Sequence, residues 1–277
     1  MPLLGLGTSA LGENKKISDQ VYIRKFEYAL DIGYKLIDTA RIYAGGNSES
    51  LIGLSVKRRQ NREKLFLITK ATGNIDEKGL LSSIKSSLNA LDTDYVDLFL
   101  IHTPNHDIPL KKTVKGIQKI LQNNLTKYVG VSNFRLNDLK KIIKMADFPI
   151  VVNQFHYNLL IREAEVFNIL NFCQNENIVL SAYQPLQRGH LSKVGNKLLD
   201  DLARKYRKTQ EQIALNWLIQ NRQVNIIVQT YDRQRLIENI SAITGWTLSY
   251  KDFLLLKNNF PLTINYSDCM PPDTREN

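Results

Sequence analysis

Short, mostly apolar runs recur along the whole chain, and each is followed by a segment with helical spacing. The runs are LLGLGT (3–8), KLIDT (35–39), LFLIT (65–69), YVDLFLI (95–101), YVGVS (128–132), IVVNQ (150–154), IVLSAY (178–183) and VNIIVQ (224–229). Their apolarity is continuous rather than alternating, as expected of parallel strands buried on both faces. Eight strands alternating with helices match a closed (β/α)₈ TIM barrel in count and spacing.

The intervening helices carry their own signals. Leu81, Ile84, Leu88 and Leu91 recur at spacings of three and four, which predicts one buried face, with Asp76 ahead of them as an N-cap. Thr209 followed three residues later by Gln212 predicts a capping box opening the helix that carries Ile213 and Trp217. Gly33 is placed to end the first helix in a left-handed C-cap. Leu236, Ile237, Ile240 and Ile243 are expected on the inner face of the eighth helix. Residues 1–277 read as one barrel domain, with a tail over 257–277 that is irregular from about Pro261 and either covers the barrel mouth or is disordered.

Composition narrows the class. The chain has 277 residues, 43% hydrophobic and 23% charged, as in an ordinary globular protein. The net charge of +10 is spread over most predicted helices without a block of five like charges or a nucleic-acid signature, so no nucleic-acid partner is expected. No apolar run approaches the roughly 20 residues that span a bilayer, and the N-terminus lacks the basic and apolar regions of a secretion signal. Cys173 and Cys269 are the only cysteines, and His106, His156 and His190 show no metal-ligand spacing. A cytoplasmic, metal-free protein without membrane association is the expectation, as a monomer or weak homo-oligomer.

Four polar residues then stand out. Asp38, Lys70 and His102 follow the second, third and fourth strand runs, and Tyr43 lies five residues after Asp38. In a parallel barrel the strand C-termini and following loops form one face, where the active site sits. Taken singly, each has a plain structural reading: a loop cap, packing, a solvated lysine, a strand-end histidine. Taken together they suit carbonyl reduction. A tyrosine keeps its proton at neutral pH and can donate it as negative charge builds on a carbonyl oxygen. A nearby lysine ammonium stabilises the phenolate and is expected to lower the tyrosine pKa toward working pH. An aspartate would keep that ammonium charged and in place, and the histidine would orient the carbonyl.

IDTARIY (37–43), NSESLIG (47–53), ITKA (68–71), DLFLIHTP (97–104), VGVSNF (129–134), VNQFHYN (152–158), AYQPL (182–186) and RLIENI (235–240) resemble the aldo-keto reductase superfamily, in its order and spacing, over about positions 2–256. The resemblance implies a (β/α)₈ barrel that reduces aldehydes or ketones with a nicotinamide cofactor, usually NADPH, and without a metal, and the short loop after His102 and modest C-terminal tail point to small aldehydes or α-dicarbonyls. It implies that Tyr43 is the acid, Lys70 and Asp38 support it, and His102 positions the substrate. Ser132, Asn133 and Gln154 stand where the family holds the nicotinamide carboxamide, and Tyr183 where a ring stacks on the nicotinamide. Pro185, Leu186 and Arg188 would lie along the pyrophosphate, and Arg235, Glu238 and Asn239 at the adenosine end.

The chain also departs from the family pattern. Gln229, before Thr230, occupies a position where many members carry a lysine for the 2′-phosphate, which leaves NADPH the favoured cofactor and NADH use open. Thr103 replaces an aromatic residue, which implies a wider or more polar substrate pocket. The hairpin that usually plugs the barrel bottom is missing ahead of the first strand. Two other readings stay open: a Schiff-base lyase or aldolase using Lys70, and a non-enzymatic cofactor-binding subunit of the same superfamily. Gly5-Leu6-Gly7-Thr8-Ser9-Ala10 fits a dinucleotide fingerprint, but the helical pattern starts only near Ser18, which argues for a barrel loop instead.

Overall fold

The computed structural model describes residues 1–191, 195–260 and 267. Eight parallel strands close in chain order: β1 (Leu4–Gly7), β2 (Leu36–Asp38), β3 (Phe66–Ala71), β4 (Val96–Ile101), β5 (Thr126–Ser132), β6 (Ile150–His156), β7 (Val179–Tyr183) and β8 (Val224–Val228). β8 pairs back onto β1 through Leu4–Ile226 and Leu6–Val228. Every strand run read from the sequence is a strand, with ends agreeing within two residues.

Around the barrel lie α1 (Asp19–Asp31), α2 (Asn47–Arg59), α3 (Glu77–Leu91), α4 (Leu110–Gln122), α5 (Leu136–Met145), α6 (Glu163–Val166), α7 (Ile169–Asn175), α8 (Lys197–Tyr206), α9 (Gln210–Ile219), α10 (Arg233–Ala242) and α11 (Tyr250–Asn259). The first helix begins after Ser18, so the glycines of β1 do not open a helix as a dinucleotide fingerprint requires.

Side chains on a strand alternate between two faces. One set, including Leu6, Ile37, Leu67, Phe99, Val131, Phe155 and Leu180, packs outward on the helices in a large core. The other set, Leu36, Ile68, Leu98, Leu100, Val152 and Ile227, fills the barrel interior. Gly5 belongs to the inner set: a Cβ there would collide with Leu36 and Ile227, which already occupy the space. The glycine thus serves barrel packing. At the strand starts, Phe66, Val151 and Val179 are only partly buried and pack against this inner cluster.

The caps match their sequence signals. Asp76 accepts a 2.8 Å bond from the Gly79 N–H, and Thr209 and Gln212 form a reciprocal capping box. Gly33 follows α1 at φ 110°, in the left-handed region that favours glycine. Two helix faces differ from expectation. In α3 the row runs through Leu80, Ile84, Leu88 and Leu91, with Leu81 on the flank and only partly buried. In α10 the buried row is Leu236, Asn239 and Ala242, and Ile237 is 52% exposed. Successive helical residues are about 100° apart, so a stripe that follows Leu236 turns Ile237 to solvent.

The basic run at the end of α2 and just beyond it is largely paired: Lys57 with Asp92, Arg58 with Glu27, Arg59 with Asp31 and Arg62 with Asp97. No helix among the described residues is long and apolar enough to cross a membrane. Cys173 is a buried free thiol, and Cys269 lies outside the described residues. Of the expected tail, α11 reaches Asn259, and the buried Ser267 places its Oγ 2.7 Å from His156 Nδ1 at the end of β6. Pro261, Pro271 and Pro272 lie outside the described residues.

Candidate active site

The inner rows of the strands change character at the upper rim. Two residues beyond Leu36, Ile68, Leu100, Gly130, Val152 and Ser181 come Asp38, Lys70, His102, Ser132, Gln154 and Tyr183. Period-two alternation therefore aims all six toward the barrel axis at one end.

Tyr43 arrives differently. It starts a 3₁₀ turn, Tyr43–Gly46, in which Ala44, Gly45 and Gly46 all have positive φ. Arg41, packed under Gly46, pairs with the buried Glu49 at 2.9 Å, and Glu49 accepts a 2.6 Å bond from Thr69 Oγ1 of β3. The loop is thus tied to the strand that carries Lys70, and the phenol returns over the lysine.

The Lys70 ammonium donates to Asp38 Oδ2 at 2.8 Å, to the Thr39 carbonyl at 2.9 Å and to the Tyr43 hydroxyl oxygen at 3.2 Å. Three donors meet three acceptors. Burial is the largest influence on Lys70 and pulls its pKa down, but the Asp38 and Tyr43 charges and hydrogen bonds together hold it above the ordinary value. The amine stays cationic.

For Tyr43, burial is again the largest influence and raises the pKa; the Lys70 charge pulls the other way and Asp38 adds to the rise. The net direction is upward, which corrects the expectation that Lys70 alone brings the phenol toward neutrality. For this half-buried phenol, the cost of taking a phenolate out of bulk water exceeds the attraction of one ammonium already committed to Asp38.

His102 lies edge-on to the Tyr43 ring, with centroids 5.9 Å apart at 79°. Burial, and then the Lys70 charge, pull its pKa down to about 3, so the imidazole is neutral near neutral pH. Its ring nitrogens have no hydrogen-bond partner among the described residues, and the residue lines the cavity.

Asn133, at φ 61°, knits the next part of the rim together. Its Nδ2 donates to the His102 carbonyl at 3.0 Å and to Ser132 Oγ at 3.1 Å, and its Oδ1 accepts from the Tyr183 hydroxyl at 2.9 Å. The Tyr183 ring stacks on His156 at 5.2 Å and 20°. Gln154 Nε2 donates to Asp38 Oδ1 at 2.9 Å.

One cavity of about 920 Å³ connects these groups. It runs from Asp38, Tyr43, His102 and Thr103, past Ser132, Asn133, Gln154 and Tyr183, to Pro185, Leu186, Arg188, Gln229, Thr230, Arg235, Glu238 and Asn239. Every site residue expected from the sequence lines it except Lys70, which lies beneath the floor with its side chain fully buried. Ser9 of the loop after β1 also lines it, as do Glu13 and Glu211, which no sequence pattern marks. Ser9 Oγ bonds Gln229 Oε1 at 2.6 Å, joining the loops after β1 and β8. Only barrel closure reveals that contact, because 220 residues separate the two. Among the described residues no three His, Cys, Asp or Glu side chains are grouped to hold a metal ion.

Comparison with known proteins agrees with this geometry. Over 255 residues the chain is 32% identical to the glyoxal reductase of Bacillus subtilis strain 168, covering 91% of this chain and 86% of that protein. It superimposes with a TM-score of 0.88 and 38% identity on a thermostable aldo-keto reductase crystallised with the inhibitor epalrestat, over 92% of this chain and 94% of the other. The crystal structure of an aldo-keto reductase from Klebsiella pneumoniae in complex with NADPH matches at TM-score 0.88 and 27% identity, over 98% and 95% of the two chains. The family model for aldo/keto reductases matches residues 3–258, nearly the whole barrel, and the chain belongs to that family.

Proposed function

We propose that this protein is an NADPH-dependent reductase of small aldehydes and α-dicarbonyls, with Tyr43 as the proton donor. One observation carries the reading: the Tyr43 hydroxyl lies 3.2 Å from a fully buried ammonium, on the wall of a cavity that also holds a neutral histidine. Lys70 donates to the tyrosine oxygen, so the phenolic hydrogen is left to point at a substrate oxygen. As charge develops on that oxygen, Tyr43 hands over its proton and Lys70 stabilises the phenolate that remains. Neutral His102 supplies a second N–H to hold the carbonyl in place. When bound, NADPH supplies the hydride to the carbonyl carbon.

The cavity suits that cofactor. Its volume lies at the upper end of the ~300–1,000 Å³ typical of ligand sites. Ser132, Asn133, Gln154 and Tyr183 would frame the nicotinamide, Pro185, Leu186 and Arg188 the pyrophosphate, and Thr230, Arg235, Glu238 and Asn239 the adenosine end. Gln229 is neutral, so Arg235 carries the main charge toward a 2′-phosphate, and NADH is also accepted. The glyoxal reductase likeness and the modest Thr103 side chain at the mouth favour small, polar carbonyls. A monomer or weak homo-oligomer and a cytoplasmic location complete the proposal.

The Schiff-base alternative fits less well. Lys70 is cationic, sealed, and has all three N–H donors engaged, whereas a nucleophilic lysine must be neutral and reachable. The non-enzymatic alternative leaves the neutral His102 at the cavity wall without a task. Titration with NADPH and NADH, followed by cofactor oxidation against a panel of small carbonyls, tests the proposal. Tyr43→Phe should lower turnover by about 10²–10⁴ while NADPH affinity stays near wild type. Near-normal turnover in that variant would rule out Tyr43 as the acid.

A further inference from the structure

Asp38 divides its two carboxylate oxygens between different partners. Oδ2 holds the Lys70 ammonium, and Oδ1 accepts 2.9 Å from the side-chain amide of Gln154 on β6, 116 residues away. A carboxylate only accepts hydrogen bonds, so the Gln154 amide must present its –NH₂ to Asp38. Its carbonyl oxygen is then turned away from Asp38, and Gln154, itself 3% exposed, lines the cavity. No described residue donates to Gln154 Oε1. The neighbouring Asn133 differs, because both ends of its amide are engaged by His102, Ser132 and Tyr183.

We infer that Asp38 is a positioning residue for the cofactor ring as well as for Lys70: it locks Gln154 with its acceptor toward the cavity, so that the subsite selects an N–H₂ group. This rests on the NADPH reading above and deepens it. The carboxamide of the nicotinamide ring offers the matching donor. An amide without a fixed partner could flip and serve a donor or an acceptor equally; tied to a buried carboxylate, it reads only one of them.

The test is binding in the absence of carbonyl substrate, measured by isothermal titration calorimetry. NADPH is compared with its reduced 3-acetylpyridine analogue, in which a methyl group replaces the carboxamide –NH₂ and the carbonyl is kept. Wild type should bind the analogue about tenfold more weakly, because a buried acceptor is left unpaired. Gln154→Leu leaves the Lys70–Asp38 pair in place and should bring the two affinities within about twofold. Asp38→Asn keeps one oxygen, which the Lys70 ammonium claims, and turns its –NH₂ toward Gln154; the Gln154 oxygen is then drawn away from the cavity and the ratio should fall at least as far. Tyr43→Phe, which touches neither group, should keep the tenfold ratio. Equal affinities in wild type, or an undiminished ratio in Gln154→Leu or Asp38→Asn, would overturn the inference. Failure of wild type to bind NADPH at all would instead overturn the reductase reading on which it stands.

Discussion

Lys70 and Asp38 form a 2.8 Å ion pair inside the barrel, with side-chain exposures of 0% and 4%. Such a pair is costly to desolvate and gives little net stability, but removing one partner leaves a buried charge uncompensated, at about 3–5 kcal/mol. Lys70→Met should therefore lower unfolding free energy by about that amount. Adding Asp38→Asn should restore much of the loss, since the remaining charge is then gone. Turnover should stay abolished in both variants. Denaturant melts of the two variants decide the matter; a double variant no more stable than the single one would show that the pair is not energetically coupled.

A second prediction concerns pH. His102 is held down to about 3 in the folded protein, against an unfolded value near ~6.5. The folded state thus refuses a proton that the unfolded chain accepts. The contribution to stability is complete above about pH 6.5 and is lost as pH falls toward 3. His102→Gln should accordingly lose less stability than wild type between about pH 6.5 and 4. Because Tyr43 and Lys70 are both shifted upward, kcat/KM should also show no inflection from about pH 5 to 9. An acid limb with a midpoint of 6 to 7 that disappears in His102→Gln would contradict a neutral imidazole.

At the adenosine end, Gln229 offers the cavity an amide whose oxygen is engaged by Ser9. Gln229→Lys places a second cation near Arg235, and a charge-assisted bond to a phosphate contributes about 1.5–3 kcal/mol. The NADPH-to-NADH affinity ratio should rise by at least about tenfold, with steeper salt dependence for NADPH alone. An equal gain for both cofactors would mean that the side chain meets the pyrophosphate and not the 2′-phosphate.

The barrel was legible because continuous apolar runs, glycine ends and caps all agreed, and the polar residues closing the runs marked the rim. Lys70 and His102 were visible as breaks in such runs. What stayed hidden depended on closure or on summed environments. The Ser9–Gln229 and Asp38–Gln154 bonds join strands distant in sequence, and no local pattern announces them. The upward shift of Tyr43 reflects the partial burial of its phenol in the assembled rim, which spacing does not encode. Ile237 was misplaced because its helix buries the stripe through Leu236, Asn239 and Ala242 and not the most apolar one.

Gly130 sits at the seam where β5 and β6 shift register, between Val129 and Val131. A Cβ there would lie 2.6 Å from the Val152 carbonyl oxygen and 2.8 Å from Leu100 Cδ2. The carbonyl belongs to the neighbouring strand, so relief requires moving backbone two residues before both Ser132 and Gln154. At Gly5, by contrast, a Cβ would meet the methyl ends of Leu36 and Ile227, which can change rotamer. Overpacking a close-packed core costs about 1–3 kcal/mol, and the inflexible neighbour should place Gly130→Ala at the upper end of that range. Gly130→Ala should also weaken NADPH binding, because the strain falls on the strands that carry the ring subsite, whereas Gly5→Ala should lose stability with affinity nearly unchanged. Thermal melts and calorimetric titrations of the two variants check this; equal affinity losses would show that the β5–β6 seam does not hold the subsite in place.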